Sequence, residues 1–231
     1  MKELFNELLS RPLFNLLIFL YNTIPGHDFG AAIIVLTILI RLVFSPLSIR
    51  AQRAQRALSA LNPKMQEIKE KYKNDQAAQS TAMLQLYKEH KVNPLTGCLP
   101  ILIQLPILIA LYQAFLAGFK PESLQILYSF IENPTVINRI SMGFLDVTIK
   151  NAFLAVAAGV LQFVQARISM VLQQPQANAT AAALSKQMLY FFPVMIIFIT
   201  WRLPAGLALY WITSTLFSIA EQMVIKYRYS T

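Results

Sequence analysis

The sequence GAAIIVLTILIRLVFSPLSI, residues 30–49, is an apolar run that a single cation, Arg41, interrupts. A helix needs about 20 mostly apolar residues to cross a bilayer, so this run is long enough to span a membrane. A guanidinium group inside such a span costs roughly 3 kcal/mol on insertion scales. A long side chain can extend its charged end towards the membrane surface, but it covers only part of the distance from the middle of the span. We therefore expect Arg41 to face a water-filled cavity or a partner within the membrane.

The whole chain has the composition of a protein with several membrane spans. Of its 231 residues, 56% are hydrophobic and only 13% are charged, which is far from the profile of a soluble domain. The net charge of +9 arises mostly from cations between predicted spans, and membrane topology explains it without sequence-specific nucleic-acid binding. The single cysteine, Cys98, lies in a hydrophobic segment and predicts neither a disulfide framework nor a metal site. We expect no cofactor.

Five apolar segments predict an all-α membrane protein with a five-span core over residues 29–231. Pro100 and Pro106 predict a kink in the second span, and the short apolar run of the fourth predicts local bilayer thinning. The spans lie at about residues 30–49, 95–119, 152–172, 188–201 and 207–226.

Residues 1–28 form a separate N-terminal segment, which we expect outside the cytoplasm. Its apolar stretch, Leu13–Tyr21, is too short to cross a bilayer comfortably. The stretch therefore predicts a helix that lies in the membrane interface, and a short tilted span is the alternative.

The region between the first two spans, residues 50–92, is the most polar part of the chain. Its many Lys and Arg residues place it in the cytoplasm by the positive-inside rule, with the N-terminus outside and the C-terminus inside. Asn62 as a cap and Pro63 at the first helical position predict a helix start, and a turn at 74–75 completes a helical hairpin. The candidate contact residues of this hairpin are Arg53, Arg56, Lys64, Lys69 and Lys88.

The predicted spans lack the groups that catalysis within a membrane requires. His27 and His90 lie outside the spans on opposite sides of the bilayer, and no HExxH motif occurs. The only acidic residue within a predicted span is Glu221, close to the inner end of the last one. We therefore expect no enzymatic activity.

Polar side chains in four of the spans are candidates for lining a hydrophilic path. Thr37 and Arg41 are four residues apart and share a helix face. For Arg41 the alternative is a structural cation held by carbonyls or Gln side chains, and for Tyr210 and Trp211 it is an interfacial aromatic belt. Any single polar residue is more simply an interhelical hydrogen-bond partner. The others are Gln104, Gln162, Gln165, Thr213, Ser214 and Ser218.

Several motifs resemble, in order and spacing, those of the YidC insertases, the bacterial branch of the oxidase-assembly superfamily. They extend over nearly the whole chain from about residue 25. The motifs are ILIRLVFSPLS at 38–48, LYKEHKVNPL at 86–95, GCLP at 97–100, QLPI at 104–107, ALY at 110–112, FPVM at 192–195 and LPAGLALYW at 203–211.

This resemblance implies a five-span core around a hydrophilic groove that is open to the cytoplasm and the lipid and closed to the outside. It implies nucleotide-independent insertion of nascent membrane proteins into the bacterial plasma membrane, with the Sec translocon as a partner. The ribosome is a further candidate partner, although few residues follow Lys226 and a long basic tail has no counterpart here. The predicted groove residues are Thr37, Arg41, Gln104, Gln162, Tyr210 and Trp211.

Two other functions stay open. A transporter or channel would use the polar span residues as a solute path, but such proteins usually contain internal repeats, and none is visible. An assembly chaperone would fold spans already inserted by the Sec translocon, and the sequence cannot separate this from insertion. The sequence also shows no counterpart of the extra N-terminal span and large outer domain that many relatives from double-membrane bacteria possess.

Overall fold

The structure, a computed structural model, describes residues 2–93, 99–119, 121–172 and 179–229. It consists of long helices and one small β-hairpin. A π-helical turn, Asn6–Ser10, joins the first two helices, and a 3-10 turn, Pro121–Ile126, follows the sixth. The helices are α1 (Lys2–Phe5), α2 (Arg11–Thr23), α3 (Phe29–Ala60), α4 (Asn62–Lys71), α5 (Gln76–Glu89), α6 (Leu99–Gly118), α7 (Ala152–Leu172), α8 (Ala179–Arg202) and α9 (Ala205–Tyr229).

Each predicted span falls on one long helix. The third span, predicted at 152–172, coincides with α7, whereas the fourth, predicted at 188–201, is part of a 24-residue helix that begins at Ala179. At about 1.5 Å rise per residue, α8 measures roughly 36 Å, so helix length alone requires no bilayer thinning. The second span runs through Pro106 as an unbroken helix, and its predicted first residues, 95–98, lie outside the described residues.

Two of the described helices are long and apolar enough, by length and composition, to cross a membrane. They are α3 and the part of α7 from Ala152 to Met170. Shorter apolar stretches occupy Gln104–Ala117 of α6 and Leu189–Arg202 of α8. The structure therefore has the apolar helices of a membrane protein, and the count of five spans stays a prediction.

Helix α3 continues past the predicted end of the first span, and this corrects the predicted hairpin boundary. The helix runs through Pro46 and ends only at Ala60, so residues 50–60 extend the helix instead of beginning the hairpin. The hairpin itself consists of α4 and α5. The cap prediction is also wrong, because Leu61 holds the cap position without a side-chain hydrogen bond and Asn62 is already helical.

Helix α2 contains the stretch that we predicted as an interfacial helix, and one of its faces is buried in the protein. Phe14, Leu17 and Ile18 are almost inaccessible and belong to a core that α2 shares with α3, α6 and α9. Asn15 is buried on the same face, and its Oδ1 accepts a hydrogen bond of 2.6 Å from the amide of Tyr128. The predicted helix is confirmed, and its position in the membrane interface stays a prediction.

The segment that connects α6 to α7, residues 121–151, contains two short strands that the all-helical prediction omitted. Strands β1 (Ile140–Ser141) and β2 (Leu145–Asp146) pair antiparallel around a left-handed turn, with φ 81° at Gly143. The segment then covers the start of α9, because the amides of Ala205 and Gly206 donate to the carbonyls of Ile149 and Val147. These bonds satisfy amides that a helix N-terminus leaves without an intrahelical partner.

Asp28 fastens the β-hairpin to the start of α3. Its carboxylate caps the helix by accepting from the amide of Ala31 at 2.9 Å, and it also accepts from the Ser141 hydroxyl and the Met142 amide. Partial burial opposes ionisation, but the bonds from Ser141 and the backbone amides outweigh it and lower the pKa of Asp28 below its ordinary 3.8. Gly30 permits this approach, since a Cβ there would lie 2.2 Å from the Ser141 hydroxyl oxygen.

Replacing Asp28 by Asn should destabilise the folded protein at neutral pH by about 1–2 kcal/mol, because a cap and charge-assisted hydrogen bonds are weakened. Since the folded pKa of Asp28 lies below the unfolded value, the advantage of the wild type is complete above about pH 4 and disappears as the pH falls through the folded pKa. Thermal unfolding of both proteins in detergent at neutral and acidic pH measures this. A difference in Tm that is the same at both pH values would contradict the role of the charge.

Candidate functional site

A cavity of about 560 Å³ lies between α3, α6, α7, α8 and α9. Its lining combines polar side chains from α3, α6, α7 and α9 with apolar ones from α3, α6 and α8. The six residues that we predicted for the groove all line this cavity, although they come from four helices. They are Thr37, Arg41, Gln104, Gln162, Tyr210 and Trp211.

Arg41 is the centre of the first polar group in the cavity, which we call the cationic cluster (Arg41, Gln104, Tyr210 and Ser214). Its Nε donates to the Ser214 hydroxyl at 2.8 Å, and its Nη2 donates to the same hydroxyl and to Gln104 Oε1 at 3.3 Å. The amide nitrogen of Gln104 then donates to the Tyr210 hydroxyl. The described residues hold the guanidinium with neutral acceptors and place no carboxylate within salt-bridge distance of it.

Thr37 and Tyr210, two of the predicted groove residues, contribute differently to the cavity. Thr37 is fully buried, and its hydroxyl donates to the Ile33 carbonyl of its own helix at 2.6 Å, so it adds little polarity to the cavity. Tyr210 is only 2% exposed. A tyrosine so deeply buried and bonded to Gln104 belongs to the packed interior, in contrast to the interfacial belt that was its alternative.

Trp211 and Gln162 belong to a second polar group, between α7 and α9. The indole Nε1 of Trp211 donates to Gln162 Oε1 at 3.3 Å, and the Gln162 amide donates to Gln165 Oε1 at 3.0 Å. Because Trp211 is half-buried and also lines the cavity, its ring edge is polar towards α7 and its apolar surface is available to a ligand.

A third polar group, the anionic cluster (Ser48, Gln52 and Glu221), was not predicted as part of the site. Glu221 Oε2 accepts from the Ser48 hydroxyl and, at 2.8 Å, from Gln52 Nε2. Ser48 and Gln52 line the cavity. A signal was present in the sequence, because Ser48 lies seven and Gln52 eleven residues after Arg41, which is the spacing of one helix face.

The apolar part of the cavity comes from α3, α6 and α8. Helix α8 contributes Phe192, Met195, Ile196 and Ile199, helix α3 contributes Ile40, Phe44, Leu47 and Ala51, and helix α6 contributes Leu105, Ile107 and Leu108. A cavity with a polar side and an apolar side suits a ligand that itself has both, such as a polypeptide segment with a charged tail and an apolar stretch.

The five predicted hairpin cations lie away from the cavity lining. Arg53 and Arg56 are on the continuation of α3, and Lys64, Lys69 and Lys88 are exposed on α4 and α5. Lys64 Nζ lies 2.9 Å from His90 Nε2, so the start of α4 contacts the end of α5. Met65 contacts Tyr87 inside the same hairpin, and burial raises the pKa of the Tyr87 phenol.

Comparison with known proteins gives consistent results. Residues 19–231 match the family model described as 60Kd inner membrane protein. A protein of Fusobacterium nucleatum named membrane protein insertase YidC is 36% identical over 211 residues, which are 90% of this chain and 92% of that protein. Proteins of the same name from Geobacter metallireducens and Francisella tularensis subsp. novicida are 32% and 35% identical, and the matches cover 95% and 87% of this chain but only 37% and 33% of those longer proteins.

Proposed function

Because the chain belongs to the 60Kd inner membrane protein family, we propose that it is a membrane protein insertase and chaperone that inserts and helps to fold integral membrane proteins. The observation that carries the proposal is the cavity with Arg41 inside it. A cation held only by neutral groups attracts an acidic residue of a passing polypeptide more strongly than one already neutralised by a carboxylate.

In the proposed mechanism the cavity shortens the path of a polar tail through hydrocarbon. An acidic tail enters from the cytoplasmic side and pairs transiently with Arg41, while Ser214 and Gln104 orient the guanidinium. Neutral partners can be exchanged for a carboxylate without breaking an existing ion pair. The tail is then released to the far side.

The apolar part of the substrate would leave along α8. This helix contributes apolar side chains to the cavity, and Val194 and Phe198 on it are exposed. An apolar segment that moves along this surface gains the free energy of leaving water, so partitioning into lipid drives the step without a nucleotide.

The remaining predictions concern topology and partners. We propose a multi-pass protein of the bacterial plasma membrane with five spans, the N-terminus outside and the α4–α5 hairpin in the cytoplasm. The exposed cations of the hairpin then meet nascent chains, the Sec translocon or the ribosome before the cavity does. The connecting segment covers the start of α9 and supports a groove closed on the outer side.

Reconstitution of the purified chain into lipid vesicles, without Sec components or nucleotide, tests this function. A small single-span substrate with an acidic tail should become protected from added protease in these vesicles, and empty vesicles should leave it accessible. Solute leakage through the vesicles without substrate protection would favour the transporter or channel. If the substrate becomes protected only when the Sec translocon is added, the protein acts as an assembly chaperone and does not insert substrates by itself.

A further inference from the structure

Two clusters of opposite charge lie along the same pair of helices. In the cationic cluster Arg41 of α3 bonds to Ser214 of α9, and in the anionic cluster Ser48 of α3 bonds to Glu221 of α9. Seven residues separate the clusters on both helices. At about 1.5 Å rise per residue, the Glu221 carboxylate therefore lies roughly 10 Å from Arg41 along the helix axes.

The anionic cluster and the neighbouring Gln222 contain acceptors that the described part of the protein does not satisfy. Glu221 Oε2 has two donors, but Glu221 Oε1 is buried and has no hydrogen-bond partner among the described residues. The neighbouring Gln222 is 8% exposed and lines the cavity, and its Oε1 is buried without a partner in the same way, while its amide donates to Ser169 at 2.9 Å.

Two unpaired acceptors, one of them on a carboxylate, favour a cationic donor. A Lys ammonium or Arg guanidinium carries several N–H groups and no acceptor, so it can donate to such an oxygen and balance the charge of the carboxylate. The donors that already contact Glu221 are the neutral groups of Ser48 and Gln52, and no described Lys or Arg forms a salt bridge with it.

We propose that Glu221 and Gln222 form a second substrate site, which binds a Lys or Arg side chain of the inserting polypeptide while Arg41 binds an acidic one. The proposal rests on the insertase function above. About three extended residues or seven helical residues span the roughly 10 Å between the two sites. A polypeptide with an acidic residue and, three to seven positions nearer its cytoplasmic end, a Lys or Arg can therefore occupy both sites at once.

The test uses the full chain in vesicles and two matched substrates. Both have an acidic residue in the tail, and they differ only in carrying Lys or Gln at the third and seventh positions after it. With Glu221→Gln, insertion of the Lys substrate should fall about tenfold, the size of one charge-assisted hydrogen bond, and that of the Gln substrate should change by about twofold at most. Glu221→Asp should preserve the preference for Lys.

A photoreactive amino acid at Leu47, which lines the cavity, supplies a second readout. Cross-linking to the Lys substrate should fall with Glu221→Gln and remain with Ser48→Ala, because the second variant loses a hydrogen bond and keeps the charge. These variants distinguish loss of a binding charge from a loss of local packing.

Three results would overturn the proposal in different ways. If Glu221→Gln treats both substrates alike while Arg41→Ala still impairs acidic tails, the insertase function stands and the second site does not. If Glu221→Gln increases insertion of every acidic tail, the carboxylate weakens Arg41 electrostatically and binds no substrate. If the wild type inserts neither substrate, the proposed function itself fails and this site falls with it.

Discussion

Replacing Arg41 by Ala should lower the insertion of a substrate with an acidic tail by about tenfold to a hundredfold, while Arg41→Lys should retain most of it. The range corresponds to the free energy of a hydrogen bond to a charged group. Lysine keeps the charge but lacks the planar fork that donates to Ser214 and Gln104 together, so it should orient the substrate less well. Protease protection in vesicles, measured against time, gives the rates.

The structure offers a matched control for this experiment. Arg167 on α7 is exposed and does not line the cavity, so Arg167→Ala removes one cation and should leave insertion within about twofold of wild type. A substrate with a neutral tail should be insensitive to Arg41→Ala. If the alanine variant inserts the acidic substrate as well as the lysine variant and the wild type do, the charge of Arg41 is not used for it.

Replacing Gly159 by Ala should destabilise the protein by about 1–3 kcal/mol, the usual cost of overpacking a tight contact. Gly159 is buried where α7 packs against α8, and a Cβ there would lie 2.2 Å from Ile197 Cγ1 and 3.0 Å from the Pro193 carbonyl oxygen. The two helices would have to separate. Because α8 provides one apolar wall of the cavity, we expect insertion to fall as well.

A double variant separates this clash from other effects. Ile197→Ala removes the side-chain atoms nearest the new methyl group, so Gly159→Ala should cost less in that background. Val160→Leu, at a position 55% exposed, adds bulk on the same helix and should change stability by about 0.5 kcal/mol at most. Unfolding in detergent compares the four variants (the two single variants, the double variant and Val160→Leu) with the wild type. Equal costs of Gly159→Ala with and without Ile197 would show that this contact is not limiting.

The positions of the long helices could be predicted because a long apolar run with few charges has few possible structures other than a helix. The ends of the helices could not be predicted where the change from apolar to polar sequence does not coincide with the end of a helix. Residues 50–60 are polar, yet they contain no Gly or Pro, and α3 continues through them to Ala60. Strands β1 and β2 have only two residues each, too few for an alternating pattern, and they form through contacts with the start of α3.

The polar residues around Arg41 could be predicted as members of the candidate site, but their pairings could not. Arg41 stood out because a cation in an apolar run is costly wherever it lies. Its partner Ser214 could not be chosen over Thr213 or Ser218, since the rotation of α9 about its axis depends on packing against α3. In the sequence, Glu221 is distinguished only as the sole acidic residue of a predicted span, and its position opposite Ser48 depends on the same packing.

The length of α3 has a mechanical consequence. One continuous helix connects Arg41 with Ala60, where the α4–α5 hairpin begins, over a distance of roughly 28 Å at 1.5 Å per residue. Such a rod acts as a lever, so a sideways load on the hairpin produces a torque at the guanidinium. Pro46 removes one backbone hydrogen bond between the two ends and makes that point the most compliant. A sideways displacement of the hairpin should therefore bend α3 at Pro46 before it moves Arg41.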